Sequence, residues 1–291
     1  MLIRAGFEIT VQTDAGAPML CALSPCPEII APVLGDGEVH TRPERPRGTY
    51  IDHFGNKVTR VGAPAGQLTL MSDFVVRDDG QPDVVVPDAR QHVIAELPND
   101  VLRFLVPSRF CESDLLSSEA WDRFGHVEGG WARVQAVCDF VHGHIAFGYD
   151  HGRPTKTALD ALREGNGVCR DFAHLSIALC RALNIPARYA SGYLGDIGVA
   201  PVPDPMDFCA WFEVYLGGRW YTFDSRHNTP RIGRILMVRG LDAADVPMIT
   251  SYGQHRLEKF EVWCLELPET QSLSDLTLRT AGGALPDSAA A

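Results

Sequence analysis

Gly165-Asn-Gly-Val-Cys-Arg-Asp-Phe-Ala173 is the stretch on which the reading of this chain turns. A glycine-rich turn runs into a helical pattern, and Cys169 stands where the two meet. Free backbone N–H groups and the positive end of the helix dipole favour a thiolate at such a place. Gly167 would let a backbone approach the thiol closely, as an acyl substrate requires. Alone, the stretch also fits a buried cysteine in a loop-to-helix corner, so its surroundings decide.

Downstream, Phe172, Leu175, Leu179 and Leu183 repeat at helical spacing and predict a helix over 171–183, ended by Ile185-Pro186. Strands are predicted over 187–194, 208–216 and 219–224. Gly217-Gly218 between the last two predicts a tight hairpin, because such turns need positive φ. That turn pairs Leu216 with Arg219 and Trp211 with Asp224, so residues 209 and 224 become diagonal neighbours on one face. Upstream, Ser117 reads as the cap of a helix over 117–123. Trp131, Val134, Val137, Cys138, Val141 and Ile145 mark an amphipathic helix, and a short helix over 157–163 stops at Gly165. A further strand is expected over 259–267.

Residues 1–105 are rich in Pro, Gly, Val and Thr. Residues 7–13 alternate apolar and polar side chains, and 67–71, 74–77 and 84–86 read as further short strands. Together they predict a β-rich module, sandwich or barrel-like. The expected organisation is this module over 1–105, a mixed core over 106–270 and a frayed tail over 271–291.

The motifs Gly-x-Cys-x-Asp-Phe-Ala (167–173), Ala-Leu-Cys-Arg-Ala-Leu-Asn-Ile-Pro-Ala-Arg-Tyr (178–189), Ser-Gly-Tyr (191–193), Ala-Trp-Phe-Glu-Val-Tyr-Leu (210–216) and Trp-Tyr-Thr-Phe-Asp (220–224) occur in order. This series resembles the transglutaminase-like superfamily, in particular bacterial transglutaminase-like proteins regarded as cysteine proteases. The resemblance covers roughly residues 110–265. It implies an α+β fold, with a β-rich N-terminal module followed by a papain-like core of helices packed on an antiparallel sheet. It also implies a Cys-His-Asp triad, with Cys169 as nucleophile and Asp224 as the acid that orients the imidazole. The chemistry implied is acyl transfer from an amide through a thioester.

The sequence departs from that pattern at one position. The family has His-Ala-Trp where this chain has Cys209-Ala210-Trp211. A thiol does not act as a general base near pH 7 as imidazole does. His227 follows Asp224 by three, on the opposite face of a regular strand; a turn at Ser225-Arg226 would be needed to swing it back. His174, five residues after Cys169, lies off the face of the thiol. Asp171 reads as a first-turn acid favoured by the helix dipole. Two functions follow: a cysteine acyl-transferase or amide hydrolase with a relocated base, or a catalytically silent relative whose cleft binds a peptide or partner protein. A redox pair of Cys169 and Cys209 is a third.

The 291 residues carry 37 acidic against 26 basic side chains and no basic run, which argues against nucleic acid and anionic membranes as partners. No apolar run approaches the roughly 20 residues of a membrane helix, and no leader-like start is seen. The eight cysteines are scattered, without Cys-x-x-Cys, and mostly read as buried small hydrophobes in a reduced, cytoplasmic protein. His142 and His144, two apart on a helix, cannot clamp one metal. No cofactor or metal is expected from these spacings; the expected substrate is a protein or peptide.

Overall fold

A computed structural model describes residues 1–27, 31–202 and 205–279. Seven strands come first: β1 (Leu2–Thr13), β2 (Ala17–Cys21), β3 (Pro32–Leu34), β4 (His40–Arg42), β5 (Arg47–Ile51), β6 (Lys57–Ala63) and β7 (Gly66–Arg77). In β1 the side chains of Ile3, Ala5, Phe7, Ile9 and Val11 are all buried, as their alternation predicts. The segments 67–71 and 74–77 form one strand, β7, paired with β1 from Leu2↔Arg77 to Thr13↔Gly66. Asp73 interrupts the apolar pattern there, yet stays in the strand because Arg4 Nε (3.0 Å) and Trp263 Nε1 (3.1 Å) donate to its carboxylate. Val84-Val-Val86 is not a strand. Val84 and Val85 are 54% and 51% exposed and pair with no strand. They belong to an extended strap that crosses to the second half of the chain, where Asp83 and Arg231 exchange hydrogen bonds through Asp83 N–H to Arg231 O (2.9 Å) and Arg231 N–H to Asp83 Oδ2 (2.9 Å).

The second half holds α1 (Ser117–Phe124), α2 (Trp131–His144), β8 (Ala146–Phe147), α3 (Ala158–Glu164), β9 (Asn166–Gly167) and α4 (Cys169–Ala182). Then follow β10 (Ala187–Tyr193), β11 (Cys209–Leu216), β12 (Arg219–Phe223), β13 (Ile235–Gly240), β14 (Ile249–Ser251) and β15 (His255–Leu267). Ser117 is the first helical residue, not the cap; Leu116 precedes it without a side-chain cap. Thr157 and Asp160 form a reciprocal capping box at α3, and Gly165 ends that helix in the left-handed region (φ 63°). β12, β11, β10 and β13 form an antiparallel sheet in that order. The hairpin register runs from Leu216↔Arg219 to Phe212↔Phe223, with both turn glycines at positive φ (56° and 90°), as the Gly-Gly turn predicts. α4 lies against this sheet, its residues from Asp171 to Arg181 all buried. Trp131, Phe172, Leu175, Leu179 and Trp211 are in the core. Tyr215 and Trp220 are only half-buried, stacked edge-on to each other (5.5 Å) on the sheet's outer face, where Phe104 covers Trp220 (5.1 Å).

The last strand enters the N-terminal sheet and not the sheet of the core. β15 pairs with β1 from Leu2↔Leu267 to Thr13↔His255, and β14 pairs with β2. A core drawn over 106–270 therefore includes two strands that complete the module drawn over 1–105. The physical reason is the edge of β1: one side takes β7, and without β15 the other would leave a long apolar strand unpaired. Of the tail over 271–291, residues 271–279 return along this sheet, where Arg279 N–H donates to Asp73 (2.7 Å) and its guanidinium to Glu261 (2.9 Å). The remainder, 280–291, lies outside the described residues. The architecture is α+β throughout.

Candidate active site

α4 begins at Cys169 itself, two residues before the predicted start, after an extended Val168. Its approach is held tightly. β8 and β9 form a short parallel bridge just before it, and buried Lys156 binds the Asn166 carbonyl (3.1 Å) and side-chain oxygen (2.8 Å). Asp171 caps the turn, accepting the Val168 N–H at 3.0 Å. Gly167 serves this cap: a Cβ there would fall 2.7 Å from Asp171 Cβ. The glycine makes room for the carboxylate that fixes the helix start.

Cys169 is half-buried, and the other seven cysteines are buried. Its sulfur lies 4.0 Å from the Phe208 carbonyl oxygen and packs against Cys209, which sits among Leu194, Trp211 and Leu236. The Cys209 thiol neighbours the Cys169 thiol, and its own hydrogen bond goes to the Ala210 carbonyl (3.7 Å). The influence of the Cys209 side chain outweighs desolvation and, with the Arg226 charge, holds the Cys169 thiol below its ordinary pKa. The Cys169 side chain, together with burial, pushes Cys209 well above its own.

Asp224 follows the end of β12, and the chain turns there. The Asp224 carbonyl accepts the Asn228 N–H (2.7 Å), with Asn228 at φ 52°. Asp224 Oδ1 accepts the N–H groups of Arg226 (3.0 Å) and His227 (3.1 Å). The turn brings the His227 ring back, with Nδ1 2.8 Å from Asp224 Oδ2. On the same oxygen, Arg234 Nη2 donates at 2.9 Å. Burial alone would raise the Asp224 pKa, but the Arg234 charge and the His227 hydrogen bond win and hold the carboxylate ionised. Arg234 is anchored in turn by Asp83 of the strap (2.8 Å) and stacks over Trp211 (5.0 Å).

Helix α2 clamps the turn from outside. Gln135 and Asp139 bind the Asn228 side chain (2.9 and 2.8 Å), and His142 Nδ1 donates to the carbonyls of Ser225 (3.1 Å) and Arg226 (3.0 Å). From inside, Ser176 of α4 donates to Ser225 Oγ (2.8 Å). Thus the helix that carries Cys169 also holds the turn that carries His227.

Cys169, Cys209 and His227 line one cleft of about 300 Å³, with Tyr149, Asp207 and Arg226 around them. Cys209 Sγ, a ring nitrogen of His227 and a carboxylate oxygen of Asp224 lie within 4.8 Å of one another. Of the four expected residues, Cys209, Asp224 and His227 come together, and Cys169 lines the same cleft. His174 does not join them. It is fully buried, stacks on Phe110 (5.3 Å) and accepts the Ala243 N–H through Nε2 (3.1 Å); burial pulls its pKa down to about 3. The sequence reading gave no role to Arg226, which lies in the turn itself, and missed Arg234 and Asp83, which reach the site from separate segments with no local motif. Among the described residues no helix is long and apolar enough to cross a membrane.

Comparison with known proteins bears on the fold. Residues 122–225 match the model of the Transglutaminase-like superfamily. Over 217 residues the chain is 27% identical to an uncharacterized protein of Mycobacterium leprae (strain TN), spanning 72% of this chain and 76% of that one. It is also similar to the crystal structure of a candidate cysteine protease from Cytophaga hutchinsonii, with a TM-score of 0.79 and 28% identity over 94% of this chain and 92% of that one. The helix that starts at Cys169 and the strands that lead to Asp224 lie within the residues that match the Transglutaminase-like superfamily model.

Proposed function

We propose that the protein is a transglutaminase-like cysteine acyl-transferase or amide hydrolase acting on a protein or peptide amide, with Cys169 as nucleophile and His227 as the base. The single observation that carries this reading is the 2.8 Å contact between His227 Nδ1 and Asp224 Oδ2 in the cleft that Cys169 lines. An ionised Asp224 only accepts, so Nδ1 carries the proton and Nε2 keeps its lone pair. The Cys169 thiol loses its proton toward that imidazole, and the sulfur attacks the amide carbonyl carbon. The C–N bond breaks as the imidazolium returns the proton to the leaving amine, giving a thioester. Water then gives hydrolysis, and an amine gives a new amide. Free thiols suit such an enzyme to a reducing compartment, the cytoplasm by the reading above.

The buried thiol of Cys209 in the slot of the family's imidazole favours the other reading, a silent protein that only binds peptides. One experiment separates the two. The protein is incubated with casein and a fluorescent primary amine, and parallel samples are searched by mass spectrometry for an acyl adduct on Cys169 and for new casein termini. Adduct or product that disappears in Cys169→Ala supports the enzyme. Casein retained on the protein without adduct or product supports the silent binder.

A further inference from the structure

Arg226 is held in the cleft without a counter-ion. The chain has 37 acidic side chains against 26 basic ones, so its arginines have acids in excess to pair with. Arg234, for instance, bridges Asp83 and Asp224. Arg226 instead has its backbone N–H on Asp224 Oδ1 (3.0 Å), its carbonyl on His142 Nδ1 (3.0 Å) and its guanidinium over the Phe147 ring (3.8 Å). Among the described residues, that guanidinium makes no hydrogen bond and no ion pair. Stacking uses the face of the group and leaves the N–H fork at its edge, which fits the two oxygens of a carboxylate. Phe147 is the bridge partner of Gly167, two residues before Cys169. The platform of the cation and the start of the nucleophile's helix thus share one short bridge, and Arg226 and Cys169 line the same cleft. The acids of that cleft have partners of their own. Asp207, which feels the Arg226 charge without pairing with it, uses Oδ1 to accept the Phe208 N–H (2.7 Å). Asp196 Oδ2 accepts the Val202 N–H (2.9 Å), beside Arg231.

We propose that Arg226 is a specificity-determining residue, which receives a carboxylate of the acyl-donor peptide beside the amide that Cys169 attacks. The substrate class is then an acidic peptide, its carboxylate supplied by an Asp or Glu side chain or by the end of the chain. The inference rests on Cys169 as the nucleophile proposed above, but its test needs no turnover.

The test uses three probes with one electrophile: chloroacetyl-asparagine amide, which is neutral, chloroacetyl-aspartate amide, with a side-chain carboxylate, and chloroacetyl-asparagine, with a terminal one. In each, the Cys169 thiolate displaces chloride from the chloroacetyl carbon and forms a C–S bond. Alkylation of Cys169 in the reduced full chain is followed by peptide mapping at neutral pH. The ratio of charged to neutral rates on one protein cancels the thiolate fraction, so a shifted Cys169 pKa does not move it. In the wild type, at least one charged probe should react roughly tenfold faster than the neutral one, with a rate that saturates. The favoured probe names the source of the carboxylate. Arg226→Gln should bring the ratio below one, since a chain of net charge −11 repels an anion. Arg226→Lys should keep only part of it, as a point charge without the fork. Circular dichroism checks folding. If Arg226→Gln does not fold, Phe147→Leu, which removes the stacking platform, should still lower the ratio several-fold. A wild-type ratio at or below one for both charged probes would overturn the proposal. So would an unchanged ratio in folded Arg226→Gln. A high, Arg226-dependent ratio in a protein that gives no Cys169-dependent product from casein would keep the carboxylate site and remove the enzyme.

Discussion

His227 Nδ1 and Asp224 Oδ2 are 2.8 Å apart within a single turn, so the carboxylate of this site holds an imidazole that follows it by three residues. The family pattern instead places the imidazole across the hairpin, at the position of Cys209. The turn is fixed by Asn228 and by three side chains of α2, so the ring has few alternatives. Removing the carboxylate should free the ring and lose its tautomer. Asp224→Asn and His227→Gln are each expected to lower kcat/KM for acyl transfer by ~10²–10⁴-fold. Equal activity in folded His227→Gln would exclude this ring as the base.

Cys169 should be the first cysteine to react. It alone is half-buried and starts a helix, whereas burial pushes the thiols of Cys21, Cys111 and Cys264 up to about 12. Iodoacetamide at neutral pH, followed by peptide mapping, is expected to label Cys169 at least tenfold faster than any other position. Preferential labelling of Cys21 or Cys264 would remove the main support for a nucleophile.

What the sequence made legible was local. The Gly-Gly turn fixes a register by itself, and through it places position 209 near Asp224. The alternation in β1 shows a strand, but not that its second partner is β15, more than two hundred residues later. Three consecutive valines look like a strand at 84–86, but a strand also needs ladder hydrogen bonds, which the local pattern does not specify. His227 was readable only as a condition, because its return depends on contacts from α2 some ninety residues upstream. The Arg234–Asp83 pair bridges 151 positions and has no local signal at all.

Gly167 offers a structural prediction with a built-in control. A Cβ there would lie 2.7 Å from Asp171 Cβ and 2.8 Å from its Oδ2. Gly167→Ala is expected to destabilise the fold by ~1–3 kcal/mol through overpacking, seen as a lower Tm. Asp171→Ala clears the space but loses the cap. The double variant should therefore lose less than the sum of the two singles. Full additivity would show that the two residues do not press on each other.

His174 should make the fold acid-sensitive. Burial pulls its pKa down to about 3, against ~6.5 in the unfolded chain. Between those values the unfolded chain binds the proton and the folded one does not, so stability falls as pH drops from about 6.5 toward 3. The full effect is on the order of a few kcal/mol. His174→Gln keeps an acceptor for the Ala243 N–H and removes the titration. Its denaturant midpoint should lose less than the wild type's between pH 6.5 and 4.5. Parallel curves for the two proteins would assign the acid sensitivity to other groups.

Cys209→His would put an imidazole back beside Asp224. The side chain at 209 faces Asp224 and packs against the Cys169 sulfur, so an imidazole there would stand where the family pattern puts its base. Two rings would then compete for Asp224 Oδ2, which already holds the His227 ring and Arg234. A gain from the single substitution could therefore be partly offset, and the informative comparison is made in two backgrounds. In the wild type, His227→Ala should lower the reactivity of Cys169, leaving the part owed to Cys209, Arg226 and the helix start. In Cys209→His, the same His227→Ala change should cost little, because the new ring takes over the proton and the released Oδ2. Pseudo-first-order alkylation rates of Cys169 across pH 6–9 in the four proteins give the coupling directly, since neighbouring residues that share a task are not additive. Cys209→His is expected to raise the Cys169 rate and any acyl-transfer activity above wild type, and the double variant to stay within a few-fold of Cys209→His. If His227→Ala lowers the rate by the same factor in both backgrounds, position 209 does not address the nucleophile, and the equivalence of Cys209 with the family's histidine fails.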